Sequence, residues 1–323
     1  MRIATFNLEN LDDGPNVQPP LADRIKIMRP QFQRIRADVL CLQEVHSQGP
    51  AGARTLQALD DLLLGTDYAN FHRATTTTTG NDLYDKRNIV VLSRFSITHT
   101  EQIRDSSGPR PSYKVATANP PDQTSDPVRW ERPVLYVMID LGNQRTLHVM
   151  SVHLKSKIAT DVSGQKIDDY TWRSVAAWAE GSFISSMKRL GQALQIRMKI
   201  DDIFDTHGEE SLITICGDFN ADSDDVPVLA ICGHVEETGN PAHAPRVMVP
   251  CERNIPGSSR YSLIHLGKGE MLDHVIASRG LLQFFRCAEI HNEALPDESG
   301  AFRMDTMFPE SDHAPVVAEF DFG

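Results

Sequence analysis

Short runs that are apolar at nearly every position, or that alternate apolar with polar, recur along the chain at 2–8, Val39–Val45, Asn88–Ser93, Val134–Asp140, Thr146–His153, 212–217, 272–278 and 315–320. Runs of this length rich in Val, Ile and Leu predict β-strands of a largely buried sheet system. Between them the period changes. Residues 23–36 place Ile25, Met28, Phe32 and Ile35 at helical spacing, 54–64 read as a second helix, and 170–204 as a long helical stretch interrupted at Gly181 and Gly191. Residues 75–85, with five consecutive threonines, and 105–126, rich in Ser, Pro, Asn and Asp, read as loops. Mixed strands and helices predict an α/β or α+β chain. No repeat and no linker-like change of composition divides it, so a single domain over 1–323 is expected.

Composition narrows the partners. With 32 Lys and Arg against 44 Asp and Glu, the net charge of -12 excludes a generally basic, nucleic-acid-coating surface. The charge is unevenly spread, because residues 86–199 hold 17 Lys and Arg against 10 Asp and Glu. That excess is either a basic face on an acidic protein or a scatter of solvated charges. Five widely spaced cysteines without a C-x-x-C pair suggest neither a disulfide framework nor a zinc knuckle, and buried reduced thiols are expected. The N-terminus runs directly into Arg2-Ile3-Ala4-Thr5-Phe6-Asn7 with no signal-like region, and no apolar run approaches the ~20 residues that span a bilayer. A cytoplasmic protein without membrane insertion is the expectation.

Three carboxylate-bearing motifs stand at the ends of predicted strands: Leu42-Gln43-Glu44, Gly217-Asp218-Phe219-Asn220 and Ser311-Asp312-His313. A carboxylate at the end of a buried strand is costly without a partner or a cation. Taken alone, Glu44 could cap a turn, Asp218 to Asn220 could form an Asx-rich turn, and Asp312-His313 could be a surface pair. Three such coincidences, with Asn7 in the first strand, favour a metal site. A Ser-centred nucleophile and a Walker-type phosphate loop are unsupported, since neither G-x-S-x-G nor G-x-x-x-x-G-K-[ST] occurs.

Seven motifs in order carry a resemblance across almost the whole chain: Thr5-Phe6-Asn7-Leu8-Glu9-Asn10, Leu42-Gln43-Glu44, Ile89-Val90-Val91-Leu92-Ser93-Arg94, Ser151-Val152-His153-Leu154-Lys155-Ser156, Gly217-Asp218-Phe219-Asn220, Leu272-Asp273-His274-Val275 and Ser311-Asp312-His313-Ala314-Pro315-Val316. The sequence resembles the endonuclease/exonuclease/phosphatase superfamily, which includes pancreatic deoxyribonuclease, apurinic endonucleases, sphingomyelinases and inositol polyphosphate 5-phosphatases. The resemblance implies a four-layer sandwich of two packed, mainly antiparallel β-sheets flanked by helices, with the active site at one end of the sheets.

It also implies roles. Glu44, Asn7 and Glu9 would hold a hard divalent cation through oxygen, magnesium with manganese as a substitute, with Asp312 near it. Asn7 and Glu9, two apart on a strand, are expected to face the same side. Asp218 would orient and deprotonate the attacking water, and Asn220 would donate to a phosphate oxygen. His313, its ring fixed by Asp273, would stabilise the charged transition state or assist the leaving oxygen. His153 would contact a non-bridging phosphate oxygen, and Lys155 would add charge beside it or, like Lys157, simply be solvated. His46, His72, His148, His265 and His274 receive no role.

Reaction class is better defined than substrate. The tryptophan before G-D-x-N and the Pro-x-Trp-Cys-Asp-Arg stretch of inositol 5-phosphatases are absent, whereas Arg260-Tyr261-Ser262 and the segment from Leu272 resemble bacterial nucleases of the group. The expected function is therefore a metal-dependent phosphodiesterase, a nuclease acting on DNA or RNA. A phosphodiesterase or phosphatase for a phospholipid headgroup or small phosphoester is the alternative, and a non-catalytic binding protein on the same fold a lesser one. No protein partner can be inferred.

Overall fold

The eight predicted strands form the interiors of two six-stranded sheets. The computed structural model describes residues 1–108, 110–130, 132–300 and 308–323. In the first sheet the order is β11 (Phe285–Ile290), β12 (Val316–Phe320), β1 (Arg2–Leu11), β2 (Val39–Val45), β4 (Asn88–Ser93), β3 (His72–Thr75). In the second it is β9 (Met248–Pro250), β10 (Asp273–Ser278), β8 (Leu212–Asp218), β7 (Thr146–His153), β6 (Val134–Asp140), β5 (Ile97–Ile103). All pairs are antiparallel except the central one of each sheet, β1 with β2 and β7 with β8. A parallel pair needs a crossover, and these two are bridged by α1 (Leu21–Ile35) and α3 (Val175–His207).

Three apolar layers follow from the two-residue period of the strands. Ile3, Cys41, Val149, Cys216 and Val275 meet between the sheets. The alternate residues Ala4, Phe6, Leu40 and Leu42 pack against Met28 and Phe32 of α1 and Leu59 and Leu62 of α2 (Gln57–Leu63). On the other side Met150, Val152, Ile213 and Ile215 pack against Ile196, Ile200 and Phe204 of α3 and Val228 of α4 (Val226–Cys232). The result is helix, sheet, sheet, helix.

Two expectations are corrected. The sequence pattern missed β3, β5, β9 and β11, the edges of the two large sheets, and also two small two-stranded sheets, Ser112–Tyr113 with Asp126–Pro127 and Leu263–His265 with Lys268–Glu270. The long helix begins at Val175 and continues through Gly181 and Gly191 without a break. Those glycines serve close packing, because an added Cβ would lie 2.4 Å from the Thr160 carbonyl oxygen at Gly181 and 2.7 Å from the Trp130 ring at Gly191. All five cysteines are free, four of them buried and Cys287 half-buried.

Candidate active site

Alternation decides which side chains reach the gap between the sheets. On β1 the inward series is Ile3, Thr5, Asn7; on β7 it is Leu147, Val149, Ser151, His153; on β8 Leu212, Thr214, Cys216, Asp218; on β10 it begins at Asp273. The register places His153, Asp218 and Asp273 in one row across three adjacent strands. Below this row the gap turns from apolar to polar: Thr5 Oγ1 donates to Gln43 Oε1 at 3.1 Å, and Gln43 Nε2 donates to Ser151 Oγ at 3.4 Å. Gln43 and Ser151 were not singled out from the sequence.

Glu44 does not follow the alternation. On a regular strand it would share the outer face of Leu40 and Leu42, but its φ is +60°, and the β1–β2 register slips between Asn7 and Leu11. The left-handed turn brings its carboxylate round to the gap, where Oε2 accepts from the Asn10 amide at 3.2 Å and Oε1 lies 3.5 Å from His153 Nε2. Glu9 and Asn10 are left-handed as well, with φ of +44° and +52°. The expectation that Asn7 and Glu9 share a face through simple alternation therefore fails. Glu9 is swung toward the 311–313 turn instead, and accepts the Asp312 amide at 3.1 Å.

The bulged end of β1 leaves carbonyls without strand partners, and a buried arginine fills them. Arg24 of α1 donates to the carbonyls of Leu8 at 2.7 Å, Glu9 at 2.9 Å and Pro309 at 3.3 Å. Its signal was present in the sequence as a charge on an apolar stripe, since the buried face of α1 reads Leu21, Arg24, Met28, Phe32, Ile35.

Asp218 is the hub. Its Oδ1 accepts the Asn220 amide at 2.8 Å; its Oδ2 accepts from Asn7 Nδ2 at 3.1 Å and Asn220 Nδ2 at 3.0 Å, and lies 3.4 Å from His153 Nε2. The Asn7 bond ties the first sheet to the second. Asn220, with φ +48°, also donates to the Leu154 carbonyl at 3.1 Å. Burial pushes the Asp218 carboxyl up to about 7, with His313 opposing and Asp273 and Glu44 reinforcing.

His313 Nδ1 donates to Asp273 Oδ2 at 2.6 Å, and Asp273 is fully buried. Burial alone would lower the His313 pKa, but Asp273, Asp312 and Asp218 together raise it well above the usual value. His153 is the opposite case: burial first, then Arg132, Arg87 and Lys155, hold it well below, so the ring is neutral. Arg132, also not singled out from the sequence, contacts His153 Nε2, and His153 Nδ1 has no hydrogen-bond partner among the described residues. Lys155 is half-buried nearby, its Nζ donating to Ser156 Oγ at 3.0 Å. Lys157 is tied to Glu270 at 2.9 Å.

The carboxylates Glu9, Glu44 and Asp312 have the chemistry that suits a hard cation, but their oxygens do not all lie within 4.8 Å of one another. Burial, reinforced by Asp312, pushes the Glu9 carboxyl up to about 8, and burial pushes Asp312 up to about 6. Asp312 Oδ1 and Asp273 Oδ1 are buried without a hydrogen bond among the described residues, and His313 Nε2 lies 3.9 Å from Asp312 Oδ1. Crowded, dehydrated carboxylates with unsatisfied oxygens are what a divalent ion would relieve. Ligand atoms of Asp218, Asp273 and His313 also lie within 4.8 Å of one another, but His313 Nδ1 is already committed to Asp273. Within that trio His313 is hydrogen-bonded to Asp273, whereas Asp218 is held from outside it by Asn7 and Asn220.

The endonuclease/exonuclease/phosphatase family model matches residues 4–313, a span that runs from β1 to this histidine. The chain belongs to that family. Its fold is shared with the 3′-phosphatase NExo from Neisseria bound to a product DNA hairpin (17% identity, 100% of each chain covered, TM-score 0.52). It is shared too with truncated TDP2 from Caenorhabditis elegans (14% identity, 99% of this chain and 96% of that one, TM-score 0.59) and an AP endonuclease from Archaeoglobus fulgidus (16%, 99% and 99%, 0.53). None of the curated proteins compared matches this member of the family in sequence. Among the described residues no helix is long and apolar enough to cross a membrane.

Proposed function

We propose that residues 1–323 form one catalytic domain, a metal-dependent phosphodiesterase that cleaves nucleic acid by in-line attack of water at phosphorus. The observation that carries this reading is the row His153, Asp218, Asp273 opposite His313, which sets a proton acceptor and a cationic donor at one end of the gap. Asp218, with its pKa near 7, accepts a proton from the attacking water as the new P–O bond forms. His313, kept protonated by Asp273, gives its Nε2 proton to the leaving oxygen as the old P–O bond breaks. Neutral His153 would hold a non-bridging oxygen with Lys155 adding charge beside it, and the Asn220 amide would join them by exchanging one of its two bonds, to the Leu154 carbonyl or to Asp218.

Glu44, Glu9, Asp312 and the amide oxygen of Asn7 would hold magnesium, with manganese as a substitute. Such an ion supplies charge neutralisation of the phosphate and polarisation of a phosphoryl oxygen. Nucleic acid as substrate is supported by the basic excess of residues 86–199 and by the DNA named for the Neisseria relative.

The test is hydrolysis of supercoiled, single-stranded and abasic DNA, RNA, sphingomyelin and aryl phosphate mono- and diesters, with magnesium or manganese. Nucleic acid is expected to be cleaved, zinc not to be the best activator, and a chelator to abolish turnover. Full turnover in excess chelator, with metal content verified, refutes the metal mechanism; preference for sphingomyelin or a monoester refutes the substrate class.

A further inference from the structure

Strand β10 carries two carboxylate–histidine pairs back to back. Asp273 faces the gap and holds His313, whereas its neighbour His274 faces the outer layer and is fully buried together with Glu252. His274 Nδ1 lies 2.5 Å from Glu252 Oε1, and Nε2 donates to the Ala221 carbonyl at 2.9 Å. Because a carbonyl only accepts, Nε2 carries a hydrogen whichever partner holds the proton between Nδ1 and Glu252. Glu252, on the short turn Cys251–Asn254 after β9, is itself fastened to β10, its Oε2 accepting the Val275 amide at 3.4 Å. A buried pair of this kind is a poor source of stability, since desolvation offsets most of its attraction and two apolar side chains would fill the same space as well. What an apolar pair would lack is the bond to Ala221.

The carbonyl so held belongs to the turn at the end of β8. There Asp218 is the last strand residue, Asn220 is left-handed, and Ala221 is fully buried. Two bonds fasten this turn to the segment that leads into β10: the Phe219 amide donates to the Leu272 carbonyl at 2.8 Å, and His274 takes the Ala221 carbonyl. The His274 ring also stands edge-on to the Phe219 ring, 5.0 Å between centroids, so both residues flanking Asn220 touch it. The Asn220 side chain is committed to Asp218 and to the Leu154 carbonyl, and must release one of them to meet a ligand. Its amide stays aimed at the gap after that release only if the backbone beneath it is held from elsewhere.

We propose that His274, seated by Glu252, is a positioning residue for the turn that carries Asn220. Its Nε2 bond to Ala221 fixes the backbone on which Asn220 exchanges a protein contact for a phosphate oxygen. That a phosphate is what Asn220 meets rests on the phosphodiesterase reading; the hold on the turn does not.

The test separates the two ring nitrogens, because the side-chain amide of glutamine falls near the place of Nε2 and that of asparagine near the place of Nδ1. Glu252→Gln removes the buried negative charge and serves as a common background, in which His274→Gln keeps a donor for Ala221 and His274→Asn does not. Turnover of bis(p-nitrophenyl) phosphate and of an oligothymidylate is measured with magnesium. The asparagine variant is expected to lose about 10-fold or more in kcat/KM, the glutamine variant to stay within about 3-fold of the background. Adding Asn220→Ala to both should erase the difference between them, because His274 acts through that residue. Hydrogen exchange of the Phe219 and Asn220 amides follows the turn without activity, and should be about 10-fold faster in the asparagine variant than in the glutamine one, beyond any difference in urea unfolding. The same two substitutions with Glu252 intact repeat the comparison if the background does not fold. In an active enzyme, equal kcat/KM in the two variants, or a difference that survives Asn220→Ala, overturns the proposal, and so does equal exchange. If wild type hydrolyses neither substrate yet exchange differs as expected, the phosphodiesterase reading fails and the hold on the turn stands.

Discussion

The two sheets have the same plan, antiparallel outer pairs around one parallel pair bridged by a helix, yet they end differently at the candidate site. In the second sheet β7, β8 and β10 stay in register to the last residue, and His153, Asp218 and Asp273 stand in a buried row. In the first sheet the ends of β1 and β2 are broken by left-handed residues at Glu9, Asn10 and Glu44. The regular end sets His153 3.4 Å from Asp218 and ties Asp273 to His313 at 2.6 Å, an arrangement that on the proposed reading would move protons. The broken end turns Glu44 toward the gap and Glu9 toward the 311–313 turn, out of strand alternation, and on the proposed reading these carboxylates would hold a cation. Identical topology thus yields two differently shaped ends, and the difference lies in a few backbone dihedrals.

The sharpest break of this comparison is a carboxylate swap, one on each sheet. Asp218→Asn should lower turnover by about 10²–10⁴-fold with metal affinity little changed, because it removes the proton acceptor. Glu44→Gln weakens a cation ligand, so part of its activity should return as magnesium or manganese is raised. Calorimetry of metal binding and turnover across a metal titration read both. Rescue of Asp218→Asn but not Glu44→Gln would reverse the two assignments.

The regular end should also be the less forgiving in stability. Gly217, one residue before Asp218 at φ +150°, sits so close to β7 that an added Cβ would be 2.0 Å from the Val152 carbonyl oxygen. Gly217→Ala forces two central strands apart, and a loss of at least ~3 kcal/mol in urea unfolding is expected. A variant within ~0.5 kcal/mol of wild type would mean that the parallel pair yields easily, and that rigidity is not what distinguishes this sheet.

A smaller effect concerns the outer face of the second sheet. His148 lies there against Tyr136 and His207, its Nδ1 2.7 Å from the Tyr136 hydroxyl, and burial first, then His207 and Lys199, lowers it to about 4. Unfolded, it would titrate near 6.5, so between about 6.5 and 4 the unfolded chain binds more protons and stability falls with falling pH. His148→Gln should flatten that part of the stability profile. A profile with the same slope from pH 6.5 to 4 in both proteins would place the acid sensitivity elsewhere.

By itself the sequence determined the eight interior strands, since strands buried on both faces must be apolar almost throughout, and with them the order of the motifs at their ends. The edge strands escaped because one side of each is open: Ile97–Ile103 is exposed over most of its length, and Phe285–Ile290 is nowhere fully buried. Backbone hydrogen bonds to a neighbour, not side-chain pattern, made them strands. Asn7, His153, Asp218 and Asp273 were legible because two-residue alternation holds up to them. Glu44 and Glu9 were legible as residues but not as positions, because their left-handed turns depend on the slipped β1–β2 register and on Arg24 filling the carbonyls left open. His274, given no role from the sequence, is fully buried on the outer face, with Nδ1 2.5 Å from Glu252 and Nε2 donating to the Ala221 carbonyl at 2.9 Å, behind the turn that carries Asn220. Only the tertiary structure decided these, because each depends on a partner far away in the chain, and a local pattern carries no information about which distant group will satisfy a buried charge.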